Sequence, residues 1–268
     1  MDVLNSHATV VAALRAQMAV AERQGRDPLQ AAALPFEVAP IDRHLPAGGL
    51  LFGAVHELQA SGPDVETGAA PALFAAGILA RCPGPVVWIG RRCGVFAHGL
   101  LQAGLDPRRI VFVDASKTVL LAMEEALRHP DIAGVVCELE GRLDLVASRR
   151  LQLAAEGSQG LGFLLRRSRR FDDPALSQPS AAMTRWRIGT LPSPPALAHA
   201  PDVAGLHRPL WQLDLLRCRG GEPASWTVEG CDAQGRLAVA AVLADRASAP
   251  VSAGSILVLP HFACCHSG

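Results

Sequence analysis

The chain has 268 residues, half of them hydrophobic and 19% charged, which excludes an extended disordered chain and suffices for one large domain with appendages or two small ones. Its 25 Lys and Arg balance 25 Asp and Glu, so bulk charge points to neither nucleic acid nor a membrane, and any such affinity must come from local patches. No uninterrupted apolar run reaches the roughly 18 residues of a membrane span, and the first residues lack the basic and apolar regions of a signal peptide.

Residues 7–25 predict an amphipathic helix, with Val10, Leu14 and Met18 at four-residue spacing and Gly25 as a stop. A Pro-containing connector follows, and the core domain is expected over 41–246, preceded by the helix and linker of 1–40 and followed by a loose tail at 247–268. Within the core, strands are expected at 54–58, 85–90, 110–114, 133–139 and 161–166, alternating with helices at 70–82, 95–103, 117–129 and 143–156. Continuous apolar strands separated by helices indicate an α/β fold with a mostly parallel, doubly wound sheet and flanking helices. Beyond Arg166 the rhythm changes. A strand at 185–190 and a hairpin over 211–230, turning at Gly220-Gly221, complete the expected order, with Trp211, Leu213, Leu215, Trp226 and Val228 on its half-buried face.

The first strand, the loop 60–68 and the next helix stand in the order of a phosphate-binding loop. Such a loop, G-x-x-x-x-G-K-[ST], works through backbone N–H groups, a Lys on the phosphates and a hydroxyl on Mg²⁺. Here Gly62 and Gly68 are one residue too far apart, Ala69 replaces the Lys, Ala70 replaces the hydroxyl, and Asp64 and Glu66 add negative charge. The loop is degenerate, and no nucleotide cofactor is expected. The place of a catalytic Glu after the second strand holds Gly90-Arg91-Arg92, and the metal-holding position offers Glu138 and Glu140.

No catalytic or metal-ligating set emerges. His56-Glu57 is not H-E-x-x-H, because Ala60 stands at the second His position. His261, Cys264, Cys265 and His266 lack zinc-ligand spacing. The seven cysteines (Cys82, Cys93, Cys137, Cys218, Cys231, Cys264 and Cys265) form no C-x-x-C pair and read as reduced thiols of a cytoplasmic protein. The basic run Arg166, Arg167, Arg169 and Arg170 lies just past a parallel strand, where ligands of such sheets bind. With Arg185, Trp186 and Arg187 it is the candidate nucleic-acid surface, and a solvated loop or a patch for an acidic protein surface remains the alternative.

The segments IDRHLPAGGLLFGAVHELQASGP (41–63), PVVWIGRR (85–92), GLDPRRIVFVDA (104–115), AGVVCELEG (133–141) and WQLDLLRCRGGEPASWTVEG (211–230) together resemble the RecA-like superfamily, and within it the ImuA family of damage-inducible mutagenesis proteins. The resemblance covers about residues 41–246. It implies a non-catalytic accessory role in SOS-induced, error-prone translesion synthesis. The implied partners are an ImuB-type polymerase-like protein, with RecA, an error-prone DnaE-type polymerase and single-stranded DNA as further candidates. Two alternatives accompany it: a SulA-like division inhibitor binding FtsZ, and a divergent RecA-like ATPase. In RecA-like proteins a DNA-binding loop leaves from the position of the Arg run. The RecA insert that forms the other DNA-binding loop has no counterpart after Glu140.

Overall fold

The apolar runs of the sequence form the middle of one twisted sheet. In a computed structural model the protein is described over residues 32–91, 94–193, 195, 197, 200, 202–203 and 207–240. The helix expected at 7–25, Cys93 and the tail at 247–268 lie outside the described residues. The elements are β1 (Ala33–Leu34), α1 (Ala39–Asp42), β2 (Leu50–Leu51), β3 (Ala54–Ala60), α2 (Asp64–Thr67), α3 (Ala69–Ala80), β4 (Val86–Gly90), α4 (Ala97–Gln102), β5 (Ile110–Asp114), α5 (Val119–Leu127), β6 (Gly134–Glu140), α6 (Leu145–Glu156), β7 (Leu161–Arg167), β8 (Thr184–Leu191), β9 (Leu210–Cys218), β10 (Ala224–Glu229) and β11 (Ala238–Val239).

The nine-stranded sheet has the order β11-β10-β9-β8-β3-β7-β6-β4-β5. From β8 to β5 neighbouring strands are parallel; β9, β10 and β11 add antiparallel to the β8 side. Every residue of β3 is buried, as a strand covered on both faces requires, whereas β9 alternates, with Trp211, Leu213 and Leu215 turned inward. The edge strand β5 departs from expectation: its apolar run leaves Val111 and Phe112 exposed, because hydrophobicity alone does not separate an edge from a centre.

Two apolar layers enclose the sheet. One holds α3 and α4 with Phe36, Val38, Ile41, Trp88, Trp186 and Trp211; the other holds α5 and α6 with Val55, Met123, Cys137 and Leu164. The core therefore extends upstream of Ile41 into the segment assigned to the linker, since Phe36 and Val38 are buried. Helix α3 is apolar nearly all round and is covered on its far side by the 231–235 turn. A Cβ at Gly77 would collide with the Cys231 side chain, and one at Gly235 with the Gly77 carbonyl, so glycines permit this crossing.

A polar chain is sealed beneath the α3 layer. His56 Nε2 lies 3.0 Å from the Leu51 carbonyl, which only accepts, so Nε2 carries the proton. Nδ1 then accepts from the Thr184 hydroxyl at 2.8 Å, and the Thr184 oxygen accepts from Trp186 Nε1 at 2.8 Å. Burial lowers the His56 pKa from 6.5 to about 4, against a smaller opposing effect of the Leu51 carbonyl. Above pH 6.5 the residue is neutral in the folded and the unfolded chain; between 6.5 and about 4 only the unfolded chain takes up the proton, so stability drains as pH falls through that window. Urea unfolding should show a loss of about 2 kcal/mol through this residue at about pH 5 relative to neutral pH. His56→Gln should lack that component; equal losses in both proteins would contradict the assignment.

A closed phosphate loop as the candidate functional site

The segment 60–68, expected as a loop, contains a helical turn at Asp64–Thr67. Glu66 and Thr67 N–H groups donate to the Pro63 carbonyl at 3.0 Å, Gly68 N–H donates to the Asp64 carbonyl at 3.0 Å, and Asp64 N–H donates to Ser168 O at 2.8 Å. The Thr67 hydroxyl also donates to the Pro63 carbonyl, at 3.2 Å. A phosphate cradle needs such N–H groups directed at the ligand. Here these four are satisfied by the chain itself. Gly68 is helical in backbone, so its lack of a side chain has a packing reason: a Cβ would sit 2.6 Å from the Asp64 carbonyl oxygen.

The end of β7 supplies the cation that the loop lacks. Arg167 Nη1 donates to Gly68 O at 2.6 Å and lies 3.7 Å from Asp64 Oδ1, while Nη2 lies 3.3 Å from Glu138 Oε1. Trp88 Nε1 donates to the same Glu138 oxygen at 2.9 Å. Burial raises the Asp64 pKa, assisted by the Glu138 and Glu140 charges and opposed by Arg167 and a backbone hydrogen bond from Ser168. A phosphate placed here meets carboxylates, and each unit like-charge pair at about 4 Å costs about 4 kcal/mol at an effective dielectric constant near 20. Beside the loop lies a cavity of about 700 Å³ bordered by Asp64, Leu73, Phe96, Glu138, Glu140 and Arg167. Among the described residues no group of three or more His, Cys, Asp or Glu side chains is placed to hold a metal ion.

The six candidate arginines do not share one surface. Arg166 is 2% exposed, with Nη2 donating to the Gly141 and Ala175 carbonyls at 2.9 Å and Nη1 3.9 Å from Glu57 Oε1. Arg185 is also buried; its Nε donates to Glu57 Oε2 at 2.6 Å, and its Nη2 to Gln178 O and Ser180 Oγ at 2.6 and 3.1 Å. Arg167 is held in the loop as described. Arg187 is exposed and pairs with Asp214 at 2.9 Å. Arg169 and Arg170 are exposed, beside Phe171, which is 70% exposed. Trp186 is fully buried in the α3 layer, so a stacking role does not fit it. The nucleic-acid reading is thereby corrected at Arg166, Arg185 and Trp186, whose groups are committed to the interior.

Sequence reasoning missed the role of Glu57. A carboxylate inside the apolar strand AVHEL was its signal, since a buried charge requires a partner. The parallel register places Arg185 directly beside it. Together Glu57, Arg166 and Arg185 fasten the 168–183 loop to the sheet. Glu57→Gln leaves two guanidinium groups facing each other in the interior and should lower the unfolding free energy by about 3–5 kcal/mol. Urea denaturation checks this, and a loss below about 1 kcal/mol would mean that the cluster is not held by charge.

No family model matches the chain. Among solved structures it is similar to the RadB recombinase, with a TM-score of 0.50 at 17% identity, covering 75% of this chain and 97% of that one. This likeness shows a RecA-like fold. Among curated proteins it is 41% identical over 211 residues to Protein ImuA from two strains of Caulobacter vibrioides, covering 75% of this chain and 84% of those proteins. The chain belongs to the ImuA family.

Proposed function

We propose that the chain is a non-catalytic accessory factor of an SOS-induced, error-prone translesion synthesis complex, docking to an ImuB-type polymerase-like protein. Its ImuA-family membership and RecA-like core support a role in damage-inducible mutagenesis. The accessory reading is carried by one observation: Arg167 bonds the Gly68 carbonyl between Asp64 and Glu138, so the chain's own cation occupies the ground where a nucleotide's phosphates would lie. Ala69 and Ala70 offer neither the cation nor the hydroxyl that a triphosphate and its Mg²⁺ need. Among the described residues no helix is long and apolar enough to cross a membrane. Calorimetry with Mg²⁺-ATP should give a Kd weaker than about 1 mM. Pull-down with the ImuB-type protein should recover a complex without nucleotide. Mg²⁺-dependent ATP turnover would overturn the proposal in favour of a divergent ATPase.

A single-stranded DNA contact is favoured at one place, the turn carrying Arg169, Arg170 and Phe171. Two exposed cations beside an exposed ring match the backbone-plus-stacking chemistry of single-strand binding. Arg169→Ala/Arg170→Ala should weaken oligonucleotide binding and reduce the magnitude of the log–log salt slope by about 1.4. Phe171→Ala should cost about 1–3 kcal/mol. Unchanged fluorescence-anisotropy titrations for both variants would assign the turn to solvent.

A further inference from the structure

A second cavity, of about 320 Å³, opens past the carboxyl end of β3 and is bordered by Gln59, Ser61, Phe171, Asp172, Ser177 and Arg187. Leu58 packs in the α3 layer, so Gln59 turns to the other face, away from the closed loop. Gln59 is 9% exposed, yet its Oε1 is sealed with no hydrogen-bond partner among the described residues. A buried amide oxygen without a partner costs stability, and its place beside a cavity calls for a partner supplied from outside. The charges around it are largely matched. Arg187, next to Gln59 in the parallel register, pairs with Asp214 at 2.9 Å. Asp173 accepts from the Ala175 N–H and from the Ser168 hydroxyl, both at 2.9 Å. Asp172 is exposed to solvent. The cavity is thus built for hydrogen bonding to an uncharged group.

We propose that this cavity takes up one nucleobase, its edge hydrogen-bonded to the Gln59 amide and its ring against Phe171. A primary amide carries donors and an acceptor side by side, which pair with a base edge through two hydrogen bonds, adenine being a good match. Phe171, 70% exposed on the adjoining turn, supplies the ring for stacking. The exposed hydroxyls of Ser61 and Ser177 donate or accept at the remaining base positions. A phosphate does not suit the cavity, because Asp172 and Asp173 border it and Arg187 is committed to Asp214. The phosphates that accompany a base meet Arg169 and Arg170 instead, which precede Phe171 on the turn and are exposed. A space of about 320 Å³ lies within the range of small-ligand pockets, which begins near about 300 Å³. The base arrives on a single strand or as a free nucleoside. The inference deepens the single-stranded DNA reading of this turn and rests on it for the strand, while the chemistry of the cavity is testable without it.

The test compares an oligo-dA strand, an abasic strand of the same length, and free adenosine, by fluorescence anisotropy for the strands and calorimetry for the nucleoside. The full chain should bind oligo-dA at least about tenfold more tightly than the abasic strand. Gln59→Leu exchanges the unpaired amide for an apolar group of similar size, so it should keep or raise the melting temperature. It should also remove the preference for oligo-dA while leaving the abasic strand bound as before. Ser177→Trp, at an exposed position lining the cavity, obstructs it without touching the core and should remove the preference likewise. A Gln59→Leu protein of lowered melting temperature is judged through Ser177→Trp alone. Equal affinity of the parent for the two strands, or a preference that survives either substitution in folded protein, overturns the cavity assignment and leaves the phosphate contacts of the turn standing. Adenosine bound by the parent and lost in the variants, with neither strand bound, removes the strand reading and assigns the cavity to a free nucleoside. Binding of neither strand nor adenosine overturns both.

Discussion

Two consecutive arginines at the end of β7 point to opposite faces of the sheet, and both ends of the candidate site depend on that alternation. Odd residues of β7, such as Phe163 and Leu165, face the α3 layer, and Leu164 faces the α5–α6 layer. Arg167 therefore reaches the start of α3 and holds Gly68, Asp64 and Glu138 together. Arg166 turns to the other face, meets Glu57 and donates to Gly141 and Ala175. One strand end thus fixes the phosphate loop on one side and the 168–183 loop on the other. A one-residue change of register would exchange the two roles and break both.

The electrostatic consequence is local, not global. The net charge is zero, yet carboxylates and guanidinium groups form interior pairs: Glu57 with Arg166 and Arg185 across β7, β3 and β8, and Glu138 with Arg167 at the carboxyl ends of β6 and β7. In a nucleotide-binding relative of this fold the same place must remain positive and open. Here Arg167 is held by Gly68, Asp64 and Glu138, and four N–H groups of the loop are bonded by the chain itself. What the fold retains is its geometry: a cavity at the ends of β6 and β7, with a loop beside it that presents two arginines and a phenylalanine.

The parallel sheet was legible because its strands are buried on both faces, and β3, β4, β6 and β7 fall within two residues of their expected positions. The hairpin of β9 and β10 was legible from the alternation of Trp211, Leu213 and Leu215. The missing Lys at Ala69 was plain in the sequence. Its replacement was not, because Arg167 and Gly68 lie 99 residues apart and meet only once the sheet is assembled. Nor did the run of four arginines reveal which of them are buried: side-chain direction at 166 and 167 follows from where β7 ends, and that boundary is weakly marked when apolar residues give way to basic ones. The upstream core residues Phe36 and Val38 were hidden in a Pro-containing stretch without periodicity. Glu57 was visible as an anomaly, a charge in an apolar strand, but its partners came from β7 and β8, which only the register identifies.

The loop 60–68 is closed by its own chain, and the decisive experiment is amide hydrogen exchange resolved at Asp64, Glu66, Thr67 and Gly68. These amides should be protected in the nucleotide-free protein, with no change on adding millimolar Mg²⁺-ATP. Fast exchange at these four positions, slowed by the nucleotide, would contradict it and restore an open cradle.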